Sequence, residues 1–552
     1  MRQFDFRKYP SFDFAPPMPQ REWPNKQLTK APIWCSVDLR DGNQALIDPM
    51  NIEQKTHFWD TLIGIGFKHI ETGFPSASQT EFDFHRKLIE ENRIPDDVTV
   101  QVLVQAREHL IERTFESLKG AKKAIVHVYN STSRVQREKV FGKSKEEIKQ
   151  MAINGAELLN KYAKKYPETE WIFQYSPESF SQTEPDFAVE VVEAVCRVWQ
   201  PENGREVIIN LPATVEASMP NIFADQVEYF CKNLPSREHI IVSLHTHNDR
   251  GCAIAAAEMG VLAGADRIEG TLFGNGERTG NMDIVAMAMN LYSQGIDPEL
   301  NFSDMMSIAQ TVSECNNLPI HPRHPWVGEL VFTAFSGSHQ DAIKKSLEKP
   351  FVDGKWDIAY LPIDPQDIGR TYQDVVRINS QSGKGGVAYV LQRDYGLDVP
   401  RWLQLDFSGI VQKHSENTER ELSVEEIWQL FQTAYINNDL PYTLNSFNFL
   451  REENNETLTA TITDSGQKVE VIGKGNGTLT AFINAMESHT GKKLRILNYA
   501  EHALSAGTNA KAMAYVQVDI DGKIYAGVSS SEDTVQAMLY AALSAINKAI
   551  IK

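Results

Sequence analysis

Residues 240–249 read Ile-Ile-Val-Ser-Leu-His-Thr-His-Asn-Asp. The run begins with β-branched and apolar residues, which is the composition of a strand buried on both faces. It ends with two histidines that are separated by one residue. Because alternate side chains of a strand point to the same side, His245 and His247 leave the strand end together, as a metal-binding pair does. Two histidines that alternate by chance are the structural alternative, and the rest of the chain decides between these interpretations.

Short apolar runs of this kind alternate with amphipathic stretches from residue 33 onward. Eight strands that alternate with helices over about 250 residues predict a (β/α)₈ TIM barrel. A doubly wound open sheet is the alternative, but it usually has a glycine-rich first turn, and none follows Val37. The predicted strands are Ile33–Val37, Phe67–Ile70, Val98–Val104, Ala124–Tyr129, Trp171–Tyr175, Val207–Leu211, Ile240–Leu244 and Arg267–Leu272. The helices predicted between them include Glu53–Gly64, Lys145–Lys165, Phe187–Trp199, Phe223–Asn233 and Cys252–Leu262.

Polar residues follow these strands at their carboxyl ends, where a TIM barrel has its active site. The convergence of several strand ends on one face predicts a functional site there. The polar residues at these positions are Asp38, Arg40, Asp41, Glu71, Gln105, His127, Asn130, Ser176, Glu178, Asn210, Thr214, His245, His247 and Asn281.

Four of these residues form a candidate metal site. Catalytic divalent metals take imidazole and carboxylate ligands and keep positions open for substrate. Asp41 supplies a carboxylate opposite His245 and His247, and Asn281 adds an amide oxygen. A helix N-cap or an Asx turn before Gly42 is the structural alternative for Asp41. Arg40 beside it needs an anionic partner inside a barrel, and Glu71 on the neighbouring strand is the predicted partner.

The whole-chain properties exclude several classes of protein. A net charge of -18 over 552 residues argues against a nucleic acid or an anionic membrane as the main partner. The five cysteines are scattered without a C-x-x-C pair, as in reduced cytosolic proteins. No apolar run is long enough to cross a membrane, and the first residues lack the apolar core of a signal peptide. A cytoplasmic enzyme is the expectation.

The chain divides into four predicted segments. Residues 1–30 form an N-terminal arm, and residues 31–326 form the barrel. Residues 327–438, rich in Pro, Gly, His and aromatic residues, form linker subdomains, with a capping box at Ser423 and Glu426 opening a helix. Residues 439–552 form an α+β domain with two β-β-α repeats. Because these repeats carry no catalytic cluster, they predict ligand sensing or dimerisation.

Each repeat has a strand, strand and helix pattern, and the two patterns lie about 56 residues apart. The first set is Thr457–Thr463, Lys468–Ile472 and Gly477–Met486, and the second is Ala514–Ile520, Lys523–Val528 and Thr534–Ile546.

Several motifs resemble those of one enzyme superfamily. DLRDGNQ, ETGFP, YSPE, LPATVE, HTHND and GNGERTGN resemble the acyl-CoA-condensing branch of the DRE-TIM metallolyases, whose Asp-Arg-Glu set matches Asp41, Arg40 and Glu71. Within that branch the chain is similar to the 2-isopropylmalate synthase family of the longer type, through HPRHPWVGELVFTAFSGSHQDAI, YLPIDPQDIGRTY and NSQSGKGGVAY. The resemblance covers essentially the whole chain, and the C-terminal repeats match less tightly than the rest.

The resemblance implies condensation of acetyl-CoA with 3-methyl-2-oxobutanoate and water, which gives 2-isopropylmalate and CoA in the first committed step of leucine synthesis. It also implies a divalent metal (Mg²⁺, Mn²⁺ or Zn²⁺), K⁺ as an activating ion, a homodimer, and feedback inhibition by leucine. The residues that match effector contacts of the family are Gly477, Leu479, Tyr499, Ala503 and Ala510.

The resemblance also assigns roles around the substrate. Arg40 stabilises the negative charge that develops on the ketone oxygen. His127, Ser176 and Thr214 orient the keto acid, while Leu103 and Tyr129 line the pocket for its isopropyl group. Plain barrel packing is the structural alternative for Leu103.

Three residues are candidates for the base that removes a proton from the acetyl methyl group. His339 and Tyr360 match residues that the family brings in from the linker, and Glu178 is the candidate within the barrel. We favour His339, since histidine titrates near working pH.

Other functions remain open at this point. A homocitrate or citramalate synthase would share the barrel motifs, whereas a lyase of the 3-hydroxy-3-methylglutaryl-CoA type would lack the duplicated C-terminal domain. An amino-acid sensor built on a degenerate barrel is the non-enzymatic alternative. For CoA there is no Walker motif, because Ile378 occupies the position of its first glycine; Ser382–Gly386 and Gly473–Gly477 are weak anion-site candidates.

Overall fold

The computed structural model describes residues 6–9, 12, 14–334, 336–372, 384–418, 422–436, 438–452, 455–504 and 510–551. The chain forms two compact units. The first contains residues 1–331 with 367–369, and the second contains residues 332–366 with 370–552. Within the described residues, no helix has the length and apolar character needed to cross a membrane.

The first unit contains a closed barrel of eight parallel strands, which confirms the predicted fold class. Each strand pairs with the next along the chain, and the last pairs with the first through residues such as Ile33 and Arg267. The strands are β1 (Ile33–Ser36), β2 (His69–Gly73), β3 (Thr99–Gln105), β4 (Lys123–Ser131), β5 (Glu170–Glu178), β6 (Val207–Ala213), β7 (Ile241–Thr246) and β8 (Arg267–Gly270).

Helices separate these strands and bury one face against them. Asn51 and Ser144 begin two of the helices as capping boxes, with Gln54 and Glu147 as their partners. The helices of the first unit are α1 (Ile52–Ile65), α2 (Gln79–Glu90), α3 (Glu108–Ser117), α4 (Lys145–Ala163), α5 (Pro185–Trp199), α6 (Pro220–Asn233), α7 (Ala253–Leu262), α8 (Ile284–Tyr292) and α9 (Met305–Asn316).

Six of the eight predicted strand ends, those of β2 and β4–β8, are wrong by two or three residues, as is the start of β2. Two of these boundaries have a clear local reason. Strand β2 starts at His69 rather than Phe67, because the N–H of Phe67 still caps α1 by donating to the carbonyl of Leu62 beyond the left-handed Gly66. Strand β8 ends at Gly270 rather than Leu272, because the N–H of Leu272 donates to the carboxylate of Asp38 at 3.0 Å.

The N-terminal arm packs on α6. The indole of Trp23 donates to Asp225 at 2.9 Å, and the guanidinium of Arg21 donates to the same carboxylate at 2.7 Å. Gln226 donates from its side chain to the carbonyl of Phe14 at 3.1 Å. Residues 14–23 are therefore tied to the outside of the barrel.

The second unit begins with helices and ends in the duplicated α+β domain. Ser423 and Glu426 form the predicted capping box, in which each side chain accepts from the other's backbone N–H at 3.2 and 2.9 Å. The linker helices are α10 (Gly337–Leu347), α11 (Lys384–Tyr395), α12 (Arg401–Thr418) and α13 (Val424–Phe431).

The C-terminal domain contains two antiparallel three-stranded sheets, each followed by a helix. Each repeat includes the predicted strand, strand and helix, and a further strand that precedes them. One hydrophobic core joins both repeats, through residues such as Leu458, Phe482, Val516 and Leu543. The first repeat is β9 (Tyr442–Glu452), β10 (Asn455–Asp464), β11 (Gln467–Gly475) and α14 (Thr478–Thr490), and the second is β12 (Leu494–Ala503), β13 (Ala512–Ile520), β14 (Lys523–Ser531) and α15 (Thr534–Ile551).

Glycine allows each helix of this domain to approach its sheet closely. A Cβ atom at Gly473 would lie 2.1 Å from the carbonyl oxygen of Ala481, and a Cβ atom at Gly527 would lie 2.1 Å from that of Ala541. The same close approach therefore recurs in both repeats, as expected for a duplicated unit.

Candidate active site

The carboxyl end of β1 turns sharply, and that turn directs Arg40 and Asp41 toward the barrel mouth. The carbonyl of Val37 accepts the N–H groups of Asp41 and Gly42 at 2.9 and 3.1 Å. Asp38 supports the turn, since its carboxylate accepts the hydroxyl of Ser36 at 2.8 Å and the N–H of Leu272. Burial raises the pKa of Asp38 to about 7. Asp38 therefore ties this turn to β1 and to the residues that follow β8, whereas the carboxylate of Asp41 contacts Arg40 and His245 at the cavity.

Asp41, His245 and His247 meet at one point of this face. Their potential ligand atoms all lie within 4.8 Å of one another, and all three residues are buried. Nε2 of His245 lies 3.1 Å from Oδ2 of Asp41, and Nε2 of His247 lies 3.7 Å from the same oxygen.

Asn281 lies beside this cluster, because it forms a β-bridge with His247. Its side-chain nitrogen donates to the carbonyl of Asn275 at 3.0 Å. Its Oδ1 and the Nδ1 of His247 are buried without a hydrogen-bond partner among the described residues. A carboxylate, two imidazoles and an orphaned amide oxygen suit a divalent metal, so the donor set fits such an ion.

The charges of these groups are strongly coupled. Burial would raise the pKa of Asp41, but the Arg40 guanidinium and the contacts with His245 hold it well below its usual range. Burial would lower the pKa of His245, but hydrogen bonds with Asp41 and Glu269 raise it to about 9. Burial and the neighbouring His245 lower the pKa of His247 to about 4. An ionised Asp41 and a neutral His247 are the forms that bind a cation.

Arg40 lies between two carboxylates. Its Nε donates to Glu71, and its Nη1 donates to Asp41 at 2.6 Å. Burial would raise the pKa of Glu71, but Arg40 and His127 lower it. A buried guanidinium held in this way cannot swing away from the cavity, so its charge has a fixed position.

A hydrogen-bonded chain runs from Glu71 across the barrel mouth. Nδ1 of His127 lies 2.9 Å from Glu71, and Nε2 of His127 lies 2.7 Å from the hydroxyl of Ser176. Asn210 donates to the same hydroxyl at 3.0 Å. His127 and Ser176 are therefore held in fixed orientations toward the cavity.

These residues enclose a cavity of about 180 Å³. It brings together the barrel residues predicted for substrate, Leu103, His127, Tyr129, Ser176 and Thr214, with Arg40, Asp41, Glu178 and the histidine pair. Glu178 accepts from the hydroxyl of Ser131. Asn210, one of the predicted polar strand-end residues, also lines the cavity, together with Gln44, Pro212, Glu277 and Arg278.

His339 and Tyr360 lie in the second unit, where their rings stack with centroids 4.0 Å apart. Tyr360 is exposed and has a positive φ of 64°. Such a conformation is unfavourable for a side chain with a Cβ and is found preferentially at functional positions. Their approach to the barrel cavity stays a prediction.

The predicted effector residues also lie in the second unit. Gly477 precedes α14, Leu479 packs against the domain core, Tyr499 and Ala503 are on β12, and Ala510 precedes β13. The hydroxyl of Thr478 donates to the buried carboxylate of Glu456 at 2.5 Å. A carboxylate of the chain therefore already lies at the start of α14, which weakens the case for an external anion at Gly473–Gly477. The other anion-site candidate is Ser382–Gly386, of which Ser382 and Gly383 lie outside the described residues.

Sequence reasoning missed the charged pair beneath the site. Arg267 and Glu269 are fully buried, and Nη1 of Arg267 donates to Glu269 at 2.8 Å. Two charged residues at alternate positions of a short strand, separated by Ile268, were the available signal, because alternate side chains share one face.

Models of known families match three consecutive parts of the chain. Residues 31–312 match the family described as HMGL-like, and residues 329–392 match the alpha-isopropylmalate synthase, post-catalytic domain-like family. Residues 421–550 match the LeuA allosteric (dimerisation) domain.

Curated relatives match over nearly the whole length. A 2-isopropylmalate synthase of Clostridium acetobutylicum is 52% identical over 556 residues, covering 99% of this chain and 99% of the relative. The enzymes of the same name from Pseudomonas entomophila and Alcanivorax borkumensis are each 52% identical and cover 99% of this chain. The match covers 97% of the Pseudomonas entomophila enzyme and 98% of the Alcanivorax borkumensis enzyme.

The geometry generates a prediction about the metal. We expect His247→Ala to lower the affinity for Mn²⁺ or Zn²⁺ by at least about tenfold, because even residues that only support a ligand typically cost that much. Equilibrium dialysis followed by elemental analysis measures the bound metal.

His109→Ala is the matched control, since this histidine lies exposed on α3. It should retain the parental metal content. Parental metal content in His247→Ala as well would exclude this residue as a ligand.

Proposed function

This chain belongs to the 2-isopropylmalate synthase family, and we propose that its barrel cavity binds the keto acid while the second unit supplies the base and the response to leucine. The reaction joins the methyl carbon of acetyl-CoA to the ketone carbon of 3-methyl-2-oxobutanoate, and water then releases CoA from the thioester to leave 2-isopropylmalate. The single observation that carries the proposal is the convergence of Asp41, His245 and His247 within 4.8 Å. That cluster lies beside Arg40, in one cavity.

We propose that Asp41, His245, His247 and Asn281 hold a divalent metal. Such an ion, when bound, supplies Lewis acidity that polarises a ketone. The carboxylate, amide and imidazole donors of this site suit Mg²⁺, Mn²⁺ and Zn²⁺. K⁺ activation stays a prediction from the resemblance.

Arg40 acts on the charge of the reaction. Negative charge develops on the ketone oxygen as the new carbon–carbon bond forms, and a guanidinium fixed by two carboxylates can stabilise it without reorganising. Its contacts with Glu71 and Asp41 supply that rigidity. Glu71 is therefore a positioning residue in this proposal.

The polar wall of the cavity orients the keto acid. His127, Ser176 and Thr214 offer hydrogen-bonding groups to its carboxylate and ketone, and binding in one orientation lowers the entropic barrier to reaction. Leu103 and Tyr129 form the less polar part of the cavity wall, whereas the proposed metal ligands form a polar part of it. These two residues accept the branched side chain.

His339 is the proposed base. A neutral imidazole near working pH can take a proton from the acetyl methyl group. Tyr360, stacked on its ring, holds the imidazole plane. Glu178 in the barrel cavity is the alternative base.

Strand β12 gives the proposed leucine response a physical route. It carries Tyr499 and Ala503, which are proposed effector contacts, and also His502. The N–H of Asp398 donates to Nε2 of His502 at 3.2 Å, and the His502 ring stacks on Tyr515. An effector that binds β12 differently in two states of the domain therefore acts on the loop that joins α11 to α12.

Leucine as that effector, a homodimer joined through the C-terminal domain, and a cytoplasmic location are the remaining parts of the proposal. The match to a domain described as allosteric and dimerising supports the first two.

The reaction is tested with a panel of keto acids. With acetyl-CoA and a divalent metal, thiol detection of released CoA should give the highest kcat/KM for 3-methyl-2-oxobutanoate. We expect pyruvate and 2-oxoglutarate, the substrates of a citramalate and a homocitrate synthase, to react at least about tenfold less well, because a mismatched side chain typically costs 1–3 kcal/mol. The names of the full-length relatives do not favour those alternatives. A higher kcat/KM for pyruvate or for 2-oxoglutarate would contradict the proposed substrate and favour a citramalate or a homocitrate synthase.

The base is tested by substitution. We expect His339→Ala to lower kcat by about 10²–10⁴-fold, the usual range for a general base, with little change in the KM for the keto acid. Added imidazole should restore part of the lost rate. A parental kcat in His339→Ala, together with a large loss in Glu178→Gln, would transfer the role to Glu178.

The leucine response is tested at β12. We expect Tyr499→Ala to raise the leucine concentration for half-inhibition by about tenfold or more, which corresponds to the loss of about 1.4 kcal/mol of binding free energy. Activity without leucine should stay near the parental value. Ile524→Ala, an exposed position on β14, is the matched control. The proposal fails if leucine leaves the parent chain fully active, or if Tyr499→Ala responds as the parent does.

A further inference from the structure

We propose that Glu269 is a positioning residue for the proposed metal site. It determines which nitrogen of His245 carries the proton, and it directs the other nitrogen at the metal position. The inference rests on the proposed role of His245 as a metal ligand. Glu269 lies on β8, beneath the cavity, and is not one of the residues that line it.

All the hydrogen-bond partners of Glu269 are groups that can donate. Its Oε1 lies 2.8 Å from Nη1 of Arg267, 2.8 Å from the side-chain nitrogen of Gln174 and 3.1 Å from that of Gln101. Its Oε2 lies 2.9 Å from Nδ1 of His245 and 3.2 Å from the side-chain nitrogen of Asn210. An ionised carboxylate can only accept, so each of these contacts requires a proton on the partner.

Arg267 keeps this carboxylate ionised. Both side chains are completely buried, and a buried carboxylate without a cation would take up a proton. The arginine therefore reaches His245 through Glu269, whose other oxygen faces the imidazole.

The consequence for His245 is a fixed tautomer. A metal ion would displace the proton that lies between Nε2 and Asp41, whereas Nδ1 would keep the proton that it donates to Glu269 and so leave the lone pair of Nε2 for the ion. That nitrogen is the one that lies 3.1 Å from Asp41. The opposite tautomer would put a proton where the metal should bind.

The same carboxylate also reaches the substrate side of the cavity. Asn210 donates one N–H to Glu269 and the other to the hydroxyl of Ser176. That orientation leaves the Ser176 hydroxyl free to donate to Nε2 of His127, whose Nδ1–H faces Glu71. Glu269 and Glu71 are thus the two acceptors at the ends of one directed chain.

Glu269→Gln tests the inference with almost no change of shape. The amide oxygen of the glutamine should remain on the side of Arg267, since the reverse orientation puts an NH₂ group against the guanidinium. The NH₂ group then faces Nδ1 of His245 and donates to it, which moves the imidazole proton to Nε2. We expect the affinity for Zn²⁺ to fall by about 10–100-fold, the usual effect of removing the partner of a metal-bound histidine.

The measurement is a Zn²⁺ titration of the full chain against a competing chelator, with the unfolding midpoint recorded for each variant. Gln174→Met is the matched control, because it removes a donor from the other oxygen of the same carboxylate; it should keep the parental affinity. Parental affinity in a folded Glu269→Gln chain would overturn the inference, as would an equal loss in Gln174→Met.

A second measurement needs no substitution at position 269. In the parent chain labelled with ¹⁵N-histidine and loaded with Zn²⁺, the ring shifts of His245 should report a protonated Nδ1 and a metal-bound Nε2, with His245→Ala identifying the signals. The reverse assignment would overturn the inference even if Glu269→Gln failed to fold. If His245→Ala and His247→Ala both keep the parental Zn²⁺ affinity, the proposed metal site itself is wrong, whereas loss in both with parental affinity in Glu269→Gln rejects only the role of Glu269.

Discussion

The buried charges inside the barrel constrain the rest of the site. Arg267, Glu71 and Glu269 are completely buried, and Arg40 is nearly so. Removing an isolated ion from water costs several kcal/mol even after relaxation, so each of these groups needs a partner of opposite charge or a set of hydrogen bonds. Arg40 pairs with Glu71 and Arg267 pairs with Glu269, while Gln101 bridges the two carboxylates by donating to both. This balance holds the side chains that reach the cavity in fixed orientations.

That rigidity has a chemical consequence. A site that stabilises developing negative charge is most effective when its donors need not reorganise during the reaction. Arg40 meets that condition because its two carboxylate partners hold it from different sides. Apolar residues such as Ile125, Ile172 and Ile208 form a separate packed cluster in the barrel. The polar network therefore orients the charged side chains, whereas the apolar packing stabilises the barrel.

In the second unit, most of the residues proposed for function are separate from the packed core. Its sheets and helices share one hydrophobic core, and glycine at equivalent places lets each helix lie against its sheet. His339 on α10, the exposed Tyr360 with its left-handed backbone, and Tyr499 on β12 lie outside that core, whereas Leu479 packs against it. Groups that respond to a ligand are commonly drawn from such less constrained positions. The contact of His502 with the loop before α12 links β12 to the helical part of the same unit.

The sequence determined much of the fold, because hydrophobic periodicity depends only on local composition. Eight short apolar runs separated by amphipathic stretches indicated the barrel, although most strand ends were placed two or three residues from the observed ones. A helix cap explains the error at Phe67, and a distant carboxylate explains the error at Leu272. The first strand of each C-terminal repeat was missed. The second half of β9 is largely exposed and β12 has few buried positions, so neither shows a clear alternation of apolar and polar residues.

The sequence by itself also determined which residue types follow each strand, and so singled out Asp41, His245, His247 and Asn281. It could not determine that Asp38 rather than Asp41 supports the first turn, or that Glu269 contacts His245. A strand sequence shows which side chains share a face, but it does not show which distant groups lie opposite that face. Closure of the barrel decides this, since it brings Gln101 and Glu269 together across 168 residues of chain. Only then do burial and charge pairing fix the protonation state of each group.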